Sequence, residues 1–176
     1  MKNKQIYTIG HSTREIEEFI AILKENNIDL LVDIRRYPGS RKFPQFHSKE
    51  LEESLKKEKI DYIWMEDLGG RRKVNKDSKN TKWRKETFRA YADYMETESF
   101  NKAMEKLEEL AKENNVVYMC AEAVWWSCHR SLISDYLKAK NWKVIHLMGL
   151  NNSQEHPYTQ PATIKNNKVY YNEIDN

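Results

Sequence analysis

Short apolar blocks recur along the chain, separated by longer stretches in which apolar residues fall three or four positions apart. Gln5 to Ile9 reads as a strand that stops at Gly10-His11-Ser12. The spacing Ile16, Phe19, Ile20, Leu23 puts four apolar side chains on one helical face. Ser12 or Thr13 is placed to cap that helix, because a side-chain oxygen there accepts a free backbone N–H. Leu30-Leu31-Val32-Asp33-Ile34 is apolar on both faces, as a strand inside a parallel sheet is. Pro38, Gly39 and Pro44 make the next segment irregular, Ser48 is placed to cap a helix running to Lys57, and Asp61 to Met65 offers a third strand. Leu68 to Thr81, with a glycine pair and many charges, reads as a long mobile loop. Phe88 to Leu110 is helical with a break near Thr97 to Ser99. Beyond a turn at Asn114-Asn115 come a strand (Val116 to Cys120), a helix (Ser131 to Ala139) and the last strand the pattern supports (Lys143 to Met148).

Strands alternating with helices imply a mostly parallel, three-layer α/β sheet, and 176 residues suit a single domain over 1–176. Ligands in such sheets bind outside the carboxyl ends of the strands. The residues that follow the strands, at Gly10 to Ser12, Asp33 to Arg41 and Cys120 to Arg130, therefore carry the functional expectations.

Composition removes several classes. With 39% apolar residues the chain is no disordered segment, although 32% of it is charged. Apolar runs such as Val116 to Cys120 are far below the roughly 20 residues of a membrane span, so no membrane association is expected. Met1-Lys2-Asn3-Lys4-Gln5 leads straight into a strand with no apolar leader, and two cysteines make no disulfide scaffold. A cytoplasmic location is the expectation. Net charge is only +3, but bases cluster at Arg35, Arg36, Arg41, Lys42 and Lys49, and again between Arg71 and Lys85. The second cluster is either a solvated surface or, with the first, an anion-binding face.

The densest segment for chemistry is Cys120-Ala121-Glu122-Ala123-Val124-Trp125-Trp126-Ser127-Cys128-His129-Arg130. A thiol at a helix N-terminus, beside a cationic His or Arg, has a lowered pKa and can act as a nucleophile. Cys120 and Cys128 are the candidates, or else small buried hydrophobes. Glu122 is a general acid or base, or the partner of Arg130 or Arg35. Arg130 and His129 could fork onto an anion, and Trp125 and Trp126 either pack inside or stack a ring. Cys120, Cys128 and His129 with His11, His146 or His156 match no compact zinc spacing, so no metal and no other cofactor is expected. Phosphate-loop, dinucleotide, Gly-x-Ser-x-Gly and Cys-x5-Arg patterns are absent. Asp33 ends an apolar strand and needs a partner, for which Arg35 is the local choice; the pair either braces the loop or aims Arg35 and Arg41 at an anion.

Taken together, Tyr7-Thr8-Ile9-Gly10-His11-Ser12, Leu31-Val32-Asp33-Ile34-Arg35 with Pro38 and Ser40-Arg41, Leu68-Gly69-Gly70-Arg71, Phe88-x-x-Tyr91-Ala92-x-Tyr94-Met95, Cys120-Ala121-Glu122, Cys128-His129-Arg130 and His146 resemble the family known as domain of unknown function 488. The tail from His156-Pro157-Tyr158-Thr159 to Tyr170 resembles that family's ending. The resemblance implies a Rossmann-like α/β fold and marks Gly10, His11, Asp33, Arg35, Ser40, Arg41, Cys120, Glu122, Cys128, His129 and Arg130 as motif positions. Ser127 stands where the resemblance leads one to expect an arginine.

Three functional readings follow. The first is an enzyme acting on a nucleotide or on a base in nucleic acid. Its catalytic candidates are Glu122, Cys120, Cys128 and Asp33, and its substrate-binding candidates are Gly10, His11, Ser12, Arg35, Ser40, Arg41, Trp125, Trp126, His129 and Arg130. The second is a thiol-dependent enzyme on a small anionic metabolite. The third is a non-catalytic module that binds an anion or nucleic acid.

Overall fold

Why each apolar block becomes a strand or helix is visible in how the core is divided. The structure, a computed structural model, describes residues 4–173. Met1, Lys2 and Asn3, read above as leading into the first strand, lie outside the described residues. In chain order the elements are β1 (Gln5–Gly10), α1 (Ile16–Glu25), β2 (Leu30–Asp33), α2 (Ser48–Lys57), β3 (Asp61–Trp64), α3 (Glu86–Tyr94) and α4 (Glu98–Glu113). They continue with β4 (Val116–Cys120), α5 (Arg130–Ala139), β5 (Lys143–Gly149), β6 (Asn152–Glu155), β7 (Thr163–Lys165) and β8 (Lys168–Tyr170). Six strands form one sheet in the order β3-β2-β4-β1-β5-β6, parallel except for β6.

Side chains alternate across a strand, so each strand feeds two cores. Ile9, Leu31, Val117 and Met119 meet Phe19 and Leu23 of α1 and Leu51 and Leu55 of α2 on one face. Val32, Val116, Tyr118 and Val144 meet Phe100 and Leu107 of α4 and Leu132 and Leu137 of α5 on the other. Each fully buried side chain of this size contributes about 1.5–3 kcal/mol. The result is the expected three-layer, Rossmann-like α/β architecture. Among the described residues no helix is long and apolar enough to cross a membrane.

Three local readings need correction. Neither Ser12 nor Thr13 caps α1. The Ser12 N–H continues the β1 ladder to the Ala121 carbonyl (3.0 Å), and Ser12 then takes φ 51°, so the chain turns before the helix starts after Glu15. Ser48 is the first helical residue of α2 rather than its cap; His47 holds the cap position and no side chain bonds there. The strands do not end at β5. β6 is exposed and polar throughout, and β7–β8 is a small ribbon turned at Asn166-Asn167, whose positive φ values (54° and 62°) suit a two-residue hairpin. The break near Thr97 is present: Thr97 Oγ1 accepts the Phe100 N–H at 3.3 Å and starts α4.

The segment between Leu68 and Glu86 has no helix or strand, yet it is fastened at intervals. Tyr91 donates to the Leu68 carbonyl (2.8 Å), and Ser78 and Asn80 both donate to Asp93 (2.6 Å each).

The tightest backbone approach joins β1 to the loop after β4. A Cβ on Gly10 would lie 1.6 Å from the Glu122 carbonyl oxygen. Gly10→Ala therefore forces the two chains apart and should lower stability by about 3 kcal/mol, read as a fall in the urea midpoint; an unchanged midpoint would show that the loop moves freely.

Candidate functional site

Sheet topology decides where a crevice can open. β2 connects onward to β3 through α2 on one face, while its neighbour β4 connects to β5 through α5 on the other. The loops leaving β2 and β4 therefore diverge, which is the switch-point geometry that makes ligand sites in such sheets. A cleft of about 240 Å³ lies there, between Arg35 to Tyr37 after β2, Cys120 to Glu122 after β4, and Ser127 to His129 before α5. Gly70, Arg71 and the α3 residues Phe88 and Tyr91 close its far wall.

Cys128 and His129 form the centre. Cys128 is 5% exposed, and its Sγ lies 3.5 Å from His129 Nδ1 and 3.5 Å from the Arg130 backbone N–H, at the start of α5. His129 Nε2 sits 3.1 Å from the Ile34 carbonyl oxygen, which is an acceptor, so Nε2 carries the proton and Nδ1 presents its lone pair to the sulfur. The imidazole packs against Tyr91 and approaches Gly70 closely: a Cβ there would be 3.0 Å from Nδ1. Burial lowers the His129 pKa, against the opposing pull of Cys120 and of the Ile34 and Leu68 carbonyls.

The two thiols are driven apart. Burial, then the hydrogen bond and charge of Cys128, push Cys120 well above its ordinary pKa. For Cys128 burial also acts upward, but a hydrogen bond from Cys120, the Arg130 charge and the Arg130 N–H outweigh it, so its pKa is lowered. Cys120, whose Sγ lies 3.8 Å from the Glu122 carbonyl oxygen as donor, is the thiol that keeps its proton, and Cys128 is the one whose ionisation is favoured.

Asp33 and Arg35 are a buried brace beside the cleft. The carboxylate accepts from Arg35 Nε (2.9 Å), Nη2 (2.7 Å) and backbone N–H (3.1 Å), and from Tyr62 Oη (2.6 Å). These donors occupy Asp33, which does not line the cleft; Arg35 does. Burial disfavours the Arg35 charge, but Asp33 more than compensates and raises its pKa. Removing one partner would leave a buried charge, at a cost of about 3–5 kcal/mol.

The remaining sequence candidates separate. Glu122 is exposed and lines the cleft; its side chain forms no ion pair among the described residues, and it is its backbone carbonyl that Arg130 holds. Arg130 is fully buried, donating to Thr8 Oγ1 (3.3 Å) and to the carbonyls of Glu122 (3.1 Å) and Ala123 (3.4 Å), and does not line the cleft. Gly10 and Ser12 serve the backbone approach. His11 is stacked on Phe46 at 4.4 Å, bonds the Ser12 carbonyl through Nδ1 (2.9 Å) and receives Arg35 Nη1 at Nε2 (3.5 Å). Ser40 accepts the Phe43 N–H (3.0 Å), and Arg41 is exposed away from the cleft. Trp125 is buried, stacked on His146 at 4.8 Å, whereas Trp126 is 53% exposed and outside the cleft. Arg36, Tyr37, Gly70, Arg71, Phe88 and Tyr91 also line the cleft although none was a site candidate; Gly70, Arg71, Phe88 and Tyr91 stand in the segments that carry the family resemblance. The signal for the arginines lay in the basic clusters, and for Gly70 in its glycine pair. Among the described residues no group of three metal-ligating side chains is placed to hold an ion.

His11 is lowered from 6.5 to about 4, by burial first and by the Arg35 charge, with the Ser12 carbonyl and Asp33 opposing. His146 is lowered to about 2 by burial and by the neighbouring His156 and Arg130. Below pH 6.5 the unfolded chain binds protons at both positions that the folded chain refuses, so acidification favours unfolding. Stability should fall by about 2 kcal/mol for each group between pH 7 and 5. Urea midpoints across that range test it, and a flat profile would contradict the neutral, buried state of both rings.

A family model described as domain of unknown function DUF488 matches residues 15–137. The match takes in the brace, both cysteines, Glu122, His129 and Arg130, and leaves Gly10, His11, Ser12 and His146 outside. Comparison with curated proteins and with solved structures finds no match. On a match over residues 15–137 of 176, the chain belongs to the DUF488 family.

Proposed function

We propose that the cleft is the active site of a thiol-dependent enzyme on an anionic substrate, with Cys128 as nucleophile. One observation carries the reading: the Cys128 sulfur is held at 3.5 Å by both the Arg130 N–H and His129 Nδ1, at the start of a helix, in a cleft whose walls carry Arg35, Arg36 and Arg71. The helix terminus and the buried guanidinium favour the thiolate. His129 Nδ1 is positioned to take the proton when the sulfur is a thiol. Arg36 and Arg71 hold the substrate anion, and the rings of Tyr37 and Phe88 offer it apolar faces. The sulfur then bonds to an electrophilic centre as the leaving group departs, and Glu122, on the open side, is placed to protonate that group.

Alkylation of the intact protein with iodoacetamide, followed by mass spectrometry across pH, tests the nucleophile. Cys128 should react with a midpoint below the ordinary ~8.5, Cys120 should lag, and Cys128→Ser should remove the fast phase. A midpoint at or above the ordinary value would end this reading.

A second observation favours a nucleotide, free or within nucleic acid, as the substrate. A groove lined by Arg36, Arg71, Arg72, Lys73 and Tyr94 shares its two leading arginines with the cleft and runs along α3. Such a basic path suits a phosphate backbone leading to the thiol. Anisotropy of labelled single-stranded oligonucleotides should show binding that weakens steeply with salt and drops about tenfold in Arg36→Ala/Arg71→Ala. Binding of mononucleotides alone would restrict the substrate to the small form, and salt-insensitive or absent binding would remove the nucleic-acid reading.

A further inference from the structure

A buried chain of polar side chains runs behind the cleft, from the middle of α5 to its first residue. Asp135, fully buried, accepts four hydrogen bonds: from His156 Nε2 (2.7 Å) and Thr159 N–H (2.9 Å) at Oδ1, and from Tyr171 Oη (2.7 Å) and Thr159 Oγ1 at Oδ2. His156 Nδ1 meets His146 Nε2 at 2.8 Å, and His146 Nδ1 meets Thr8 Oγ1 at 2.6 Å. Thr8 Oγ1 in turn accepts from Arg130 Nη1 at 3.3 Å. All five members are fully buried, and Trp125 lies flat on the His146 ring, at an interplanar angle of 5°.

The donors fix a single direction. A carboxylate only accepts, so His156 donates to Asp135 through Nε2, and with one proton on that ring its Nδ1 accepts. His146 therefore donates from Nε2 and presents a bare Nδ1, which takes the Thr8 hydroxyl proton. The hydroxyl oxygen is then free to accept from Arg130. Reversing His156 alone would set two N–H donors against each other and a bare nitrogen against Asp135, and reversing His146 alone would set two bare nitrogens against each other and leave the Thr8 proton without an acceptor. The guanidinium has no carboxylate partner among the described residues and its Nε has no partner, so this chain is its one link to a buried negative charge.

Resting on the Cys128 reading above, we propose that Thr8, His146, His156 and Asp135 are positioning residues for that site: they form a one-directional relay that pins the Arg130 guanidinium to the Glu122 and Ala123 carbonyls and thereby holds the Cys128 loop in its reactive geometry. None of the four lines the cleft. They act through Arg130, which anchors both ends of the loop. Its side chain grips residues 122 and 123, while its backbone N–H grips the Cys128 sulfur. The groups facing that sulfur are His129 and Arg130 from its own segment, Cys120 and Tyr118 from β4, Glu122 from the loop, Tyr91 from α3 and Arg35 across the cleft. Of these, Thr8 neighbours Tyr118 in the β1–β4 register and hydrogen-bonds only Arg130, so removing its hydroxyl acts on that one bond toward the site.

The readout is the pH midpoint of iodoacetamide labelling at Cys128, with thermal melting as the check of folding. Thr8→Val keeps the shape and removes the hydroxyl. It should raise the midpoint and slow labelling at neutral pH by about fivefold, the change expected for losing one charged neighbour's hold. Thr8→Ser, which restores the hydroxyl, should restore the wild-type midpoint. A depressed wild-type midpoint that Thr8→Val leaves in place overturns the relay alone, whereas an ordinary midpoint in the wild type overturns both the relay and the Cys128 nucleophile. A measurement on the unmodified protein does not depend on any variant folding. Nitrogen chemical shifts of His146 should report a neutral ring protonated at Nε2 and bare at Nδ1 throughout the folded range, and a proton on Nδ1 would overturn the direction and with it the proposal.

Discussion

A guanidinium sealed from water needs acceptors for its hydrogens, and Arg130 finds them for Nη1 and Nη2, though not for Nε, without a neighbouring carboxylate. Two backbone carbonyls and one threonine hydroxyl surround it. Neutral acceptors of this kind satisfy the hydrogens but leave the charge, and burying a charge is expensive unless it is balanced. The balance is Asp135, in the same helix, reached only through two histidines and Thr8. Much of the structure serves that arrangement. β1 contributes Thr8, β5 contributes His146, and the tail folds back so that His156, Thr159 and Tyr171 can close around Asp135. The tail after β5 is thus tied into the core by its polar groups as much as by its apolar ones.

The same economy shapes the cleft. β1 has no side chain at its last residue because the loop after β4 occupies that space, and Arg130 draws the loop inward from below. Once the loop is drawn in at Glu122 and Ala123, a single 3₁₀ turn at Trp125–Ser127 returns the chain to the head of α5 and leaves Cys128 against its N–H. Sulfur position is therefore a consequence of how a buried charge is held, and of a backbone approach only glycine permits.

The parallel part of the sheet was legible in the sequence because its central strands are dominated by apolar residues, as at Leu30 to Val32 and Val116 to Cys120. The locations of Cys128 and His129 could be anticipated from strand-end logic. What side chains do there could not. Arg130 looked like an anion receptor, and only three-dimensional packing shows both of its terminal nitrogens bonded inside the protein. The Asp33–Arg35 brace was one of the two readings open for that pair, and what local sequence does not show is the further bond from Tyr62, 29 residues away, that completes it. His146 and His156 entered as doubtful zinc ligands because their spacing carries no hint of a mutual 2.8 Å contact. Trp125 and Trp126 are adjacent yet opposite in fate, one stacked inside and one exposed, which no local rule separates. The short polar strands β6 to β8 lack the apolar alternation that betrays a strand.

The arginines around the cleft divide by what already accepts their hydrogens, and that division bears on the chemistry. Arg35 is committed to Asp33, Arg130 to carbonyls and Thr8, and Arg72 to the Gly69 and Glu66 carbonyls with its plane 3.7 Å from the Tyr94 ring. Arg36 and Arg71 line the cleft with side chains that donate no hydrogen bond among the described residues, so anion contact falls to them. Opposite stand Glu122 and, on the reading proposed here, the Cys128 thiolate. An arriving phosphate or carboxylate therefore meets the two guanidiniums whose hydrogens are still unclaimed, while those already committed to Asp33, to Thr8 and to backbone carbonyls hold the walls in place.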